Sequence, residues 1–281
     1  MVDQPPLHHC FSAEHEHFRA SLRDFVAREI TPFVSACDEA GTVPQALYRP
    51  MAELGSTGVG DAENLGGTPC DTFLKIVLSE EMARCGAGGV CASPGSHTIG
   101  LPPIAMAGSD VAAGRTRATR GAEHCGVNGE KTFMNNFNAE RLALSAQAYS
   151  FAQVCLDEAL AWARQRQTFG QPLSQRQVIR HKRVDMALRI DAARSLVHQL
   201  AHRIGHRPAD PQQRVARIAM AKVLATQAMQ FCADQAVQIL GGIGAMRGTK
   251  CERIYREVKV MMIGGGSEEI MQDLAARQWG I

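Results

Sequence analysis

From Asn138 to Gly170 the chain reads NAERLALSAQAYSFAQVCLDEALAWARQRQTFG, a stretch with no proline and a single glycine at its end. Leu142, Ser145, Tyr149, Ala152, Leu156, Leu160 and Ala163 follow one another at steps of three and four, which places them on one stripe of a helix. If residues 138–164 are all helical, the rod is roughly 40 Å long at about 1.5 Å per residue. The rest of the chain is read as what packs against this helix and what the helix presents Glu140 to. Glu140 falls in its expected first turn, and the signature Arg166-x-x-Phe169-Gly170 closes it.

Helical patterning continues on both sides. Residues 12–31 place Phe18, Leu22, Phe25, Val26 and Ile30 on one face behind a Ser12 N-cap, with Pro32 as the stop. Short helices are expected over 48–54 and 71–84, the second capped by Asp71 and closed by Gly86. Another is expected over 91–107, interrupted near Pro102-Pro103. After Asn135 the pattern is helical to the end, with long helices over 174–204 and 211–240 and shorter ones over 251–260 and 267–278. Three long helices joined by short connections imply a bundle. Only residues 115–134 alternate, around Asn128-Gly129, a dipeptide that favours a two-residue hairpin. A lone hairpin is marginal in water, so this one is either covered or incomplete.

The bulk numbers exclude several classes. Thirty basic and 28 acidic residues give a net charge of +2, so no global field points to nucleic acid or an anionic membrane. No apolar run reaches membrane-spanning length, and neither a signal nor a transit pattern is evident. Nine scattered cysteines without a CxxC pair suggest reduced thiols and a cytoplasmic location. His15-Glu16-His17 is not read as a metal site, because residues i and i+2 do not share a helix face.

Several phrases, in order, resemble the acyl-CoA dehydrogenase family. They are Gly108-Ser109-Asp110-Val111, Asn128-Gly129-Glu130-Lys131-Thr132-Phe133, Glu140-Arg141-Leu142, Arg166-x-x-Phe169-Gly170, Gln238-x-Leu240-Gly241-Gly242-x-Gly244, Glu252 to Glu257, and Ile263 to Ile270. The resemblance implies a mainly α fold: an N-terminal helical domain (1–107), a remnant of a middle β-domain (108–134) and a C-terminal four-helix-bundle-type domain (135–281). It also implies that most of the middle β-domain is missing, near Ala107 and near Met134-Asn135.

The resemblance implies a reaction as well: flavin-dependent α,β-dehydrogenation of an acyl-CoA to the trans-2-enoyl-CoA. FAD is the cofactor, an electron-transferring flavoprotein the acceptor, and the assembly a homo-oligomer, tetramer or dimer. The catalytic base is a glutamate that many members carry at the position of Gly265 and a minority carry in a Glu-Arg-Leu phrase. Here glycine occupies the first place and Glu140 the second, as in the isovaleryl-CoA and long-chain branches and in bacterial terpenoid-type members. The plainer role for Glu140 is a first-turn acid favouring the helix dipole.

By the same resemblance Arg166, Phe169, Gln177, Gln238, Gly241 and Gly242 reach the FAD of a neighbouring subunit, and Ser267, Glu269 and Phe133 lie near the flavin. Glutamine is common where this chain has Glu269. Ser109, Asn138, Arg141 and Gly265 line the substrate site. Ordinary structural roles stand beside these: an N-cap for Ser267, a helix C-cap for Gly241, an ion pair for Arg141. The rival to the enzyme is a shortened, non-catalytic relative that keeps the bundle as an assembly module.

Overall fold

The structure, a computed structural model, describes residues 11–60, 63, 67–93, 117–120, 125–128, 133–206 and 210–281. Its N-terminal helices are α1 (Ala13–Phe25), α2 (Val34–Ala40), α3 (Tyr48–Glu53) and α4 (Thr72–Ala83). A short helix follows over 88–93. Three long helices form the body: α5 (Phe133–Gln165), α6 (Gln177–His206) and α7 (Pro211–Leu240). Then come α8 (Lys250–Ile263) and α9 (Glu268–Gln278). The fold is mainly α, as the resemblance implied.

The body is organised around α5 and α7. α7 packs along α5 and touches α6, α8 and α9, while α4 packs on α5 from the N-terminal side. The α5 stripe is buried at Leu142, Ser145, Tyr149, Ala152, Leu156 and Ala163, with Leu160 partly so. α7 is rich in buried alanine, among them Ala221, Ala225, Ala228, Ala233 and Ala236. Small side chains let two helices approach closely, and the tight seam excludes water along its length.

Side chains fix the helix starts. Ser12 and Asp71 accept backbone N–H bonds from His15 and Leu74. Asp210 caps α7 with Pro211 in its first turn, and Thr249 caps α8. The Glu158 carboxylate of α5 accepts from Lys250 N and Cys251 N at 3.1 and 2.7 Å, which docks the N-terminus of α8 on α5. Glu257 of α8 accepts from Gly88 N at 2.6 Å and ties the other side to the 88–93 helix.

A buried polar joint connects the N-terminal helices to the body. Glu80 of α4 pairs with Arg19 of α1, accepts from the Tyr149 hydroxyl of α5 at 2.5 Å, and lies 3.4 Å from His198 Nε2 of α6. His15 is drawn into the same region through Asp71 at 3.0 Å.

The structure departs from the sequence reading in four places. Pro32 does not end the helical path: Val26–Ile30 forms a π-turn, Pro32 lies in the 3-10 turn Thr31–Phe33, and α2 follows. Proline is tolerated in the first turn of a new helix, where its missing N–H is no loss. The hairpin pairs β1 (Arg117–Arg120) with β2 (Cys125–Asn128), antiparallel, with Arg117 opposite Asn128. Its connection is therefore residues 121–124, and Asn128 belongs to a strand, so cross-strand pairing overrides the turn preference of Asn-Gly. A second pair, β3 (Gln167–Thr168) with β4 (Gln171–Pro172), closes around Phe169-Gly170 and had no alternating pattern to announce it. Finally, α5 begins at Phe133, so Glu140 lies seven residues beyond the first helical residue, about two turns in. A first-turn dipole role is thereby removed, since that effect falls off within one turn. The expected helix over 91–107 lies mostly outside the described residues.

Candidate active site

Two turns into α5, next to Glu140, Arg141 meets the glycine turn between α8 and α9 and also bonds Asn138. Arg141 is 6 % exposed. Its Nε donates to Gly265 O at 2.8 Å, one terminal nitrogen donates to Asn138 Oδ1 at 3.3 Å, and the guanidinium lies 5.6 Å from the Phe137 ring centre. Burial lowers its pKa, against the pull of Glu140. Arg141 thus binds the backbone of the turn, and among the described residues it makes no ion pair to a neighbouring helix.

Gly265 has φ +70, and a Cβ there would lie 3.0 Å from Leu144 Cδ1 and 3.6 Å from Arg141 Cγ. Leu144 sits one turn on from Glu140 on the same face of α5. The Gly265 turn therefore packs on α5 at Arg141 and Leu144, the residues one and four places after Glu140. Replacing Gly265 with Ala is expected to destabilise the protein by about 1–2 kcal/mol, because a side chain is strained at that φ and crowded by Leu144. Thermal unfolding reads this directly; an unchanged melting temperature would mean the turn does not press on α5.

The Glu140 carboxyl is half-buried. Its Oε2 is shielded from solvent and has no hydrogen-bond partner among the described residues. Desolvation raises its pKa, with Arg141 opposing. A buried carboxylate oxygen without a donor is costly. It is also what a proton-accepting group needs: a basic oxygen not already engaged, with affinity for a proton raised toward working pH.

The expected FAD contacts lie on two exposed surfaces. On the first, Arg166 and Gln177 are exposed, and the Phe169 ring is 98 % exposed at φ +50. Arg176, absent from the sequence reading, holds this turn. It donates to Thr168 O at 2.6 Å, and its guanidinium lies 5.6 Å from the Phe169 ring centre. On the second, Gln238, Gly241 and Gly242 are exposed where α7 ends; Gly241 has φ +65, and a Cβ on either glycine would meet nothing within 4 Å. An outward aromatic ring, exposed arginines and bare glycine backbone suit a flat nucleotide carried by another molecule. In that sense the residues present fit FAD.

Ser267 caps α9 through the Ile270 N–H at 3.5 Å. Glu269 is exposed, its carboxyl held below the usual range by its own backbone amide and by Ser267. Phe133 opens α5, and Ser109 lies outside the described residues.

Two family models match. "Acyl-CoA dehydrogenase, N-terminal domain" covers residues 12–115, and "Acyl-CoA dehydrogenase, C-terminal domain" covers residues 128–280, more than half of the chain. The chain belongs to the acyl-CoA dehydrogenase family. That family comprises FAD-dependent oxidoreductases, and this chain is one of them.

Among its relatives, "Probable acyl-CoA dehydrogenase YngJ" of Bacillus subtilis is 26 % identical over 375 residues, covering 94 % of this chain and 97 % of that protein. The "Caffeyl-CoA reductase-Etf complex subunit CarC" of Acetobacterium woodii is 24 % identical over 371 residues, with 93 % and 97 % covered. A crystal structure described as a probable acyl CoA dehydrogenase from Mycobacterium abscessus superposes with a TM-score of 0.85 at 28 % identity, covering 96 % of this chain and 99 % of that one. The 375 positions of the first alignment exceed the 281 residues of this chain, so at least 94 of them are gaps here.

A second residue, besides Arg176, was not foreseen. Lys222 of α7 is completely buried, and its ammonium reaches the backbone of the glycine turn. A signal existed in retrospect: Ile218, Lys222, Ala225 and Met229 share one helical stripe, and a lysine among such residues must find buried acceptors.

Proposed function

We propose that this acyl-CoA dehydrogenase removes the α-proton of an acyl-CoA thioester through Glu140, and that the product is the trans-2-enoyl-CoA. The observation that supports this is the Glu140 Oε2, shielded and without a hydrogen-bond partner among the described residues, next in sequence to the Arg141 that binds the Gly265 carbonyl. Glu140 takes the α-proton. FAD, when bound, supplies the acceptor for the β-hydrogen as hydride at N5. Asn138, Arg141 and Gly265 bound the space in front of the carboxylate. Gly265 carries no side chain at the place where other members carry their base.

Arg166, Phe169, Gln177, Gln238, Gly241 and Gly242 serve the FAD of a neighbouring subunit, so the working form is a homo-oligomer, a dimer or tetramer. Their exposure supports this assignment. Ser267, Glu269 and Phe133 lie toward the flavin, and Ser109 lines the acyl-CoA. An electron-transferring flavoprotein is the proposed acceptor; the similarity to the CarC subunit of an Etf complex supports it. The division at 1–107, 108–134 and 135–281 and a cytoplasmic location belong to the same reading.

The test is the visible spectrum of the purified protein supplied with FAD, before and after anaerobic addition of acyl-CoAs of graded chain length and branching. A bound yellow flavin that bleaches with one of them is expected. A protein that takes up no flavin would contradict the reading and favour the bundle as an assembly module.

A further inference from the structure

The Lys222 ammonium donates to Met262 O at 2.5 Å and to Gly266 O at 2.6 Å. Met262 lies in the last turn of α8, where carbonyls lack helical partners and the dipole end is negative. Gly266 closes the turn just before the Ser267 cap. From the opposite side Arg141 Nε donates to Gly265 O at 2.8 Å. Three backbone oxygens within five residues are held by two cations on two different long helices.

Such a clamp has a physical purpose. Gly265 and Gly266 adopt φ +70 and +122, and three consecutive glycines have many other conformations open to them. Nothing in their own side chains selects this one. Burying a lysine to select it is costly: desolvation first, then the nearby Arg141, lower the Lys222 pKa to about 8 against the pull of Glu268.

We infer that Lys222 is a positioning residue for the dehydrogenation: it ties the Gly264–Gly266 turn to α7 while Arg141 ties it to α5, so that Arg141 keeps a fixed place next to Glu140. This rests on the assignment of Glu140 as the base. Lys222 touches the turn and not the reacting atoms, so its effect is on geometry.

The experiment compares wild type, Lys222→Met, Lys222→Gln and Glu140→Gln as full-length, FAD-loaded protein. It reads kcat per bound flavin, KM for the acyl-CoA, and hydrogen exchange across residues 262–267. A displacement of about 1 Å at a reacting centre costs about 10²-fold in rate. Lys222→Met should therefore lower kcat per flavin by about that factor with little change in KM, and speed exchange at 262–267 while leaving α6 unchanged. Lys222→Gln keeps one donor and should fall between. A purely structural lysine would lower flavin yield and melting temperature without changing kcat per flavin, and that result would overturn the inference. Should Lys222→Met not take up flavin, Lys222→Gln decides by the same criterion. Turnover lost in Glu140→Gln but untouched in the Lys222 variants would sink the positioning role alone. Turnover retained in Glu140→Gln would sink the base assignment, and the inference with it.

Discussion

Glu140→Gln is expected to lower turnover by about 10³-fold or more while FAD and acyl-CoA still bind. The substitution preserves shape and removes only the capacity to accept a proton. Among the described residues Glu140 Oε2 makes no hydrogen bond that the substitution would remove. The stability effect has a definite sign. The folded carboxyl has a raised pKa, so the folded state holds its proton more tightly, and wild-type stability declines as pH rises from 4.5 through the folded value. The glutamine variant lacks that decline, so its melting temperature at neutral pH should equal or exceed wild type. A variant that loses both activity and stability would point to a structural role. In the wild type, the rate should rise with pH through an apparent pKa above that of ordinary glutamate.

Glu80→Gln is expected to destabilise the protein by about 3 kcal/mol at pH 7 without touching the chemistry. Burial works to raise the Glu80 pKa, but the bond with His198, the charge of Arg19 and the Tyr149 hydroxyl together bring it down to about 2. A carboxyl depressed from 4.5 contributes stability that is fully present above pH 4.5 and lost as pH falls toward 2. The amide cannot hold the charge, and it leaves Arg19 with Glu81 at 3.3 Å and Glu16 at 3.4 Å. Urea denaturation of the two proteins from pH 7 to pH 3 should show a wide gap that closes in acid. Equal stability at pH 7 would mean the joint between α1, α4, α5 and α6 contributes nothing net, as buried ion pairs sometimes do.

What could be read from the sequence was what local chemistry dictates. The α5 stripe from Leu142 to Ala163 is buried as its periodicity requires, α7 runs from Pro211 to Leu240, and Ser12, Asp71 and Ser267 cap the helices they were expected to cap. The departures lie where distant contacts decide. α5 begins five residues before the expected start, and α2 follows a proline that seemed a stop. The hairpin register is set by cross-strand pairing and not by Asn-Gly. Lys222 is the clearest case. Its value depends on two carbonyls 40 and 44 residues away, and no local pattern names them. Glu140 and Gly265 were singled out by resemblance; only the fold shows Arg141, next to Glu140, binding the Gly265 carbonyl.

If Glu140 takes the α-proton, the proton passes through it to solvent. The most direct measurement is the appearance of deuterium in solvent from an α-deuterated acyl-CoA, followed alongside flavin reduction in wild type and Glu140→Gln. The account predicts release in step with reduction in the wild type and none above background in the variant. Release from Glu140→Gln at the wild-type rate would place the base elsewhere.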